Sequence, residues 1–144
     1  MTSPRAPDSY LADASSLITL FHRKVSVRKL NALVEGGRLR IPYRVGVELK
    51  RKSDKCGLWV RSRSDQLCIS ETSTNVPELQ RVIVSHKDVL TTTKRSADAV
   101  IVAMGLYFRD SRTVVSDDIG IQTACYKEGL LVLTVGVFQR LTGI

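Results

Sequence analysis

A chain of 144 residues, 43% of them hydrophobic, is long enough for one domain with a real core and too short for two comfortable ones. It contains no run of about 18 apolar residues, and its start, MTSPRAPDS, has no apolar signal segment, so a soluble, cytoplasmic protein with no membrane partner is expected. The net charge of +8 is uneven, because residues 22 to 63 hold 13 Lys and Arg against 3 Asp and Glu, which suggests a polyanionic partner such as nucleic acid, or else a solvated surface.

Residues 1–8 read as a disordered tail, and 9–144 as a single domain. Tyr10 to Asp13 reads as a short strand ending in an acid. Two helices follow, with apolar residues at helical spacing from Leu17 to Phe21 and from Val27 to Val34, and Gly36-Gly37 stops the second. Leu39 to Tyr43 is a second strand, and Arg44 to Arg63 is a basic helix weakened by Gly46 and Gly57. Leu67 to Ser70 makes one more short strand. Asn75 with Glu78, and Pro77 between them, resembles a capping box that opens a helix to about Leu90. Thr91 to Arg95 is a polar basic loop, after which Ser96 caps a buried helix from Ala97 to Phe108.

Thr113 to Thr134 reads as strand, acidic turn, helix and strand. Thr113 to Val115 is β-branched, Ile119 to Lys127 suits a helix, Gly129 stops it, and Leu130 to Thr134 is apolar. Such a βαβ unit joins parallel strands by a right-handed crossover. Val135 to Leu141 forms a terminal helix. Alternation of this kind predicts an α/β sandwich with a mainly parallel sheet, whose ligands sit beyond the carboxyl ends of the strands.

Four places carry acids that local structure does not require: Asp13 after the first strand, Glu48 in the basic helix, Asp98 in the first turn of the buried helix, and Asp117 with Asp118 after the later strand. Carboxylates gathered in this way hold hard divalent cations, which activate water and neutralise charge on a phosphodiester. Each acid alone has a simpler reading. Asp13, Asp117 and Asp118 can cap helices, Glu48 can pair with Lys52 one turn on, and Asp98 can face a helix dipole. Phosphate-loop and dinucleotide-binding glycine patterns are absent. His22 and His86 lack ligand-like spacing and read as incidental, and Cys56, Cys68 and Cys125 suit reduced thiols.

The chain resembles a PIN domain, the fold of many metal-dependent ribonucleases, including toxins of toxin-antitoxin pairs. The resemblance rests on YLADASSLI, GVELKRK, SADAVIVAMG and VVSDDIGIQTAC, in that order, and spans about Tyr10 to Leu141. It implies a three-layer α/β sandwich with a short, mainly parallel central sheet. It also implies catalytic acids at Asp13, Glu48, Asp98 and Asp118, with Asp117 beside Asp118, holding Mg²⁺ or Mn²⁺. Ser15 and Ser116 would support the acids, and Arg44, Lys50, Arg51, Lys55, Lys94 and Arg95 would hold RNA. A cognate antitoxin and a second copy of the chain join RNA as expected partners. The rival expectations are a PIN-like module that binds nucleic acid or protein without cleaving, and a flap-type DNA nuclease, for whose extra helices 144 residues leave little room.

Overall fold

The structure, a computed structural model, describes residues 9–90 and 97–144. The expectations for the tail, for Lys94 and Arg95, and for Ser96 as a helix cap lie outside these residues. The first strand, β1 (Tyr10–Ala12), is buried along its whole length. Its side chains alternate between two apolar cores, Tyr10 and Ala12 entering one and Leu11 the other, as the two-residue period of a strand requires. A helix layer therefore covers each face. After β1 come α1 (Ala14–His22), α2 (Val27–Glu35), β2 (Leu39–Pro42), α3 (Tyr43–Lys50), α4 (Lys55–Leu67), β3 (Cys68–Ile69) and α5 (Leu79–Ser85). The chain continues through α6 (Asp98–Tyr107), β4 (Thr113–Val115), α7 (Ile119–Lys127), β5 (Val132–Leu133) and α8 (Val135–Thr142).

The strands pair in parallel throughout, in the order β3-β2-β1-β4-β5. The expected α/β class, with a parallel sheet between helix layers, is what the chain adopts. One core draws on α1, α2, α3, α4 and α8, and the other on α5, α6 and α7. Among these helices α6 is buried continuously from Ala99 to Gly105, as a helix with no polar face must be. The strand order fixes where a ligand would sit. The chain runs outward from β1 through β2 to β3 and then returns to β4 on the other side of β1. At such a reversal the connections leave β1 and β4 in opposite directions and open a crevice at their carboxyl ends. Asp13 follows β1, and Ser116 follows β4.

Three local expectations are corrected. The basic segment from Arg44 to Arg63 is two helices, because Asp54 starts a new one, its Oδ1 accepting the Gly57 N–H at 2.8 Å. Gly57 serves close packing rather than weakness. A Cβ there would stand 2.1 Å from the Lys52 carbonyl oxygen and 2.7 Å from that of Leu49. The second correction concerns Asn75, which closes a turn instead of opening a helix. Its Oδ1 accepts the Thr72 N–H at 2.9 Å, and Thr72 Oγ1 accepts the Asn75 N–H at 3.1 Å. Accordingly α5 begins only at Leu79, and the Glu78 side chain makes no cap bond but pairs with Arg81 at 2.6 Å. Third, His86 is not incidental: it is buried, with Nε2 at 2.6 Å from Glu128 Oε2, and so ties the end of α5 to the end of α7. The cysteines are free thiols, and burial pushes Cys56 up to about 11 and Cys125 up to about 12.

Candidate metal centre

Asp13 is where strand geometry and helix capping meet. As the N-cap of α1 its Oδ1 accepts the Ser16 N–H at 2.9 Å and also the Ser16 hydroxyl. Its Oδ2 accepts Ser116 Oγ at 2.6 Å and Ser15 Oγ at 3.2 Å. A buried carboxylate needs hydrogen-bond donors, and Ser16, Ser116 and Ser15 supply them, the Ser16 hydroxyl lying also 3.0 Å from the Val115 carbonyl oxygen. The Ser116 hydroxyl does a second task by accepting the Asp118 N–H at 3.0 Å. One buried serine thus joins the end of β1 to the acidic turn after β4. Ser16 went unnoticed in the sequence, although its place three residues after a candidate N-cap is the signal that finds it.

Asp118 is itself the N-cap of α7, its Oδ1 accepting the Ile121 N–H at 2.9 Å. Gly120 lets the start of α7 pack on the segment after α5, since a Cβ there would lie 2.2 Å from the Val89 carbonyl oxygen. Asp98 enters from the first turn of α6, and Glu48 from α3. All four acids line one cavity of about 160 Å³, together with Ala14, Ser15, Val45 and Ala97. Asp117 does not line it. Its Oδ1 accepts the Val135 N–H at 2.9 Å and so holds the start of α8, whereas Asp118 is the acid of that turn that lines the cavity.

Burial, and after it the Asp98 charge, raises the Glu48 carboxyl above its ordinary range, while Arg51, Lys52 and Arg44 pull it the other way. Repulsion and desolvation prevail. An all-oxygen donor set of this kind has the chemistry that hard divalent cations take. Among the described residues no three His, Cys, Asp or Glu side chains are gathered tightly enough to hold a metal as they stand. The bond to Asp13 that an incoming ion would most readily replace is the long one from exposed Ser15.

The basic residues divide between two flanks of α3. Arg44, Arg51 and Lys52 act on Glu48, and Arg44 also pairs with Glu71 at 2.9 Å. Lys50 lies elsewhere, with Nζ 5.4 Å from the centroid of the Tyr43 ring. Lys55 borders a separate hollow with Ile18, Phe21, His22, Asp54 and Cys56. Lys50 ends α3 and Lys55 begins α4, with Arg51 between them, so the three do not lie along a single helix.

Residues 10–127 match the family described as Domain of unknown function (DUF4411), a span that runs from β1 through α7 and includes all four acids. No curated protein matches the chain.

Proposed function

The chain belongs to the DUF4411 family, and we propose that it is a metal-dependent ribonuclease of PIN-like design. One observation carries the reading: acids from four separate elements line a single cavity at the crevice where strand order reverses. Asp13, Glu48, Asp98 and Asp118 are the residues that would hold Mg²⁺ or Mn²⁺. Such an ion supplies acidification of water and neutralisation of charge at a phosphodiester. The chain's own groups supply the rest. Ser15, Ser16 and Ser116 fix the Asp13 carboxylate, Ser116 ties the Asp118 backbone to it, and Arg44, Arg51 and Lys52 place positive charge beside Glu48 to draw in phosphate.

Cleavage of single-stranded RNA by the purified chain in Mg²⁺ or Mn²⁺, arrested by EDTA and absent in Asp98→Asn, is the expected result. No cleavage of any RNA with either metal would sink the proposal. A second reading, a PIN-like module that binds nucleic acid or protein without cutting, draws on the hydrogen bonds that already engage the Asp13 carboxylate and on the spread of the four acids. RNA binding that neither metal converts into cleavage would favour it. The resemblance extends the proposal to the toxin of a toxin-antitoxin pair, with a cognate antitoxin and a homodimer as partners. Expression of the native chain should then arrest growth, and expression of Asp98→Asn should not. Equal growth of the two strains would remove the toxin role.

A further inference from the structure

The flank of α3 turned away from Glu48 carries a second basic surface. Lys50 stands over Tyr43, which is 48% exposed, and Arg61 of α4 reaches across to donate from Nε to the Lys50 carbonyl at 2.8 Å. Arg40 of β2 donates to the Gln66 carbonyl at the end of α4. Arg63 lies 6.0 Å from the Trp59 ring centroid and donates to Ser62 Oγ at 2.9 Å. Along the same helix a hollow of about 330 Å³ is lined by Arg61, Ser62, Arg63, Ser64, Asp65 and Gln66. At this edge of the sheet, in β3, Ser64 Oγ donates to Cys68 Sγ at 3.8 Å, and burial raises the Cys68 thiol against the Ser64 bond and the Lys50 and Arg40 charges.

The charges of this surface are held by neutral groups. Among the described residues none of Arg40, Lys50, Arg61 and Arg63 is in an ion pair, and Asp65 is the acid among them. Arg40 and Arg61 are positioned by backbone carbonyls, which orient a guanidinium without neutralising it. Fixed cations beside hydroxyls and a half-exposed aromatic ring match a single strand, whose phosphates need positive charge and whose unpaired bases need a flat partner.

We propose that Tyr43, Lys50, Arg61 and Arg63, with Arg40 behind them, hold single-stranded RNA away from the bond to be cut, one base stacking on Tyr43. This deepens the ribonuclease reading and rests on it for the choice of RNA. A strand bound there would pass over α3, whose other flank carries Glu48 and the cations beside the acid cavity.

The test is the binding of a labelled oligouridine to the full chain in EDTA, where no turnover occurs, followed by fluorescence anisotropy across a salt series. Lys50→Gln combined with Arg63→Gln should flatten the salt dependence by about 1.4 log units, at about 0.7 for each lost phosphate contact. Tyr43→Ala should weaken binding at least about fivefold, whereas Tyr43→Phe, which keeps the ring, should retain it. Melting temperatures check that each variant is folded. An unchanged slope in the double variant overturns the proposal, as does an equal loss in Arg28→Gln, an exposed cation on α2. The outcomes separate the two readings. A chain that binds through this surface but never cleaves loses the ribonuclease function alone, and an active ribonuclease indifferent to Lys50, Arg63 and Tyr43 loses this surface alone.

Discussion

Two clusters of charge in this molecule are built on opposite principles. At the carboxyl ends of β1 and β4, four acids share a cavity, and burial with the Asp98 charge raises Glu48 despite three nearby cations. Across the second helix layer, Glu78, Arg81, Glu128 and His86 alternate in sign. Arg81 donates to Glu78 at 2.6 Å and to Glu128 at 2.9 Å, and Glu128 meets His86 Nε2 at 2.6 Å. The Arg81 bond, with a smaller contribution from His86, overcomes burial and holds the Glu128 carboxyl down to about 2. His86 Nδ1 is buried without a partner among the described residues, which suits a ring whose Nε2 carries the proton donated to Glu128. The same residue type, Glu, is thus shifted in opposite directions. The compensated cluster stabilises the fold. At the cavity, burial and the Asp98 charge raise the Glu48 carboxyl, a cost that a bound cation would offset.

The sharpest way to separate the clusters is through activity. Asp98→Asn should reduce RNA cleavage by more than about 100-fold, a loss seen even for outer partners of metal ligands, while melting at the same temperature as the native chain or slightly higher. A large fall in melting temperature would show that Asp98 is structural and that the cavity resembles the other cluster after all. Next in size, Ser116→Ala strips Asp13 of its 2.6 Å donor and Asp118 of its backbone acceptor. Loss of these two bonds should cost about 1–3 kcal/mol, read as a lower urea midpoint. An unshifted midpoint would mean that the hydroxyl does not join the two strand ends.

Much of this division was readable in the chain and part was not. Asp13 announced itself because a short apolar strand followed by an acid and an apolar helix is a local pattern, and the same holds for the turn after β4. The choice between Asp117 and Asp118 was not local, since it depends on the start of α8, 18 residues beyond Asp117. His86 and Glu128 stand 42 residues apart, a separation over which spacing says nothing. In the basic segment, dense charge hid a helix start at Asp54. The Asn75 reading failed because a Thr72-Asn75 turn satisfies the same donors more locally than a helix cap does.

Smaller effects test the two glutamates directly. Glu128→Gln should destabilise by about 1–2 kcal/mol at neutral pH, discounted because Arg81 is half exposed to solvent. The Glu128 pKa is depressed in the folded state, so its contribution is complete above about 4.5 and is lost as pH falls toward about 2. Melting curves of the variant should therefore lose part of the acid-side decline, and identical acid limbs would contradict the pairing. Glu48 gives the reverse sign. Its pKa is raised in the folded state, so its stabilisation is complete below its ordinary value of 4.5 and is lost as pH rises through the folded value. Without divalent ions, Glu48→Gln should raise stability at pH 7 by less than about 1 kcal/mol, solvent screening being substantial, and should change nothing at pH 4. Destabilisation at pH 7 would show that Arg51, Lys52 and Arg44 outweigh burial and Asp98.

The most direct test of the acid cavity as a cation site is the melting temperature of the native chain during a Mn²⁺ titration. Binding to the folded state alone adds about 2.7 kcal/mol when Mn²⁺ reaches 100 times its dissociation constant. A saturable rise that EDTA reverses and that Asp98→Asn abolishes is the predicted result. A melting temperature indifferent to Mn²⁺, or one that rises equally in Asp98→Asn, would contradict it.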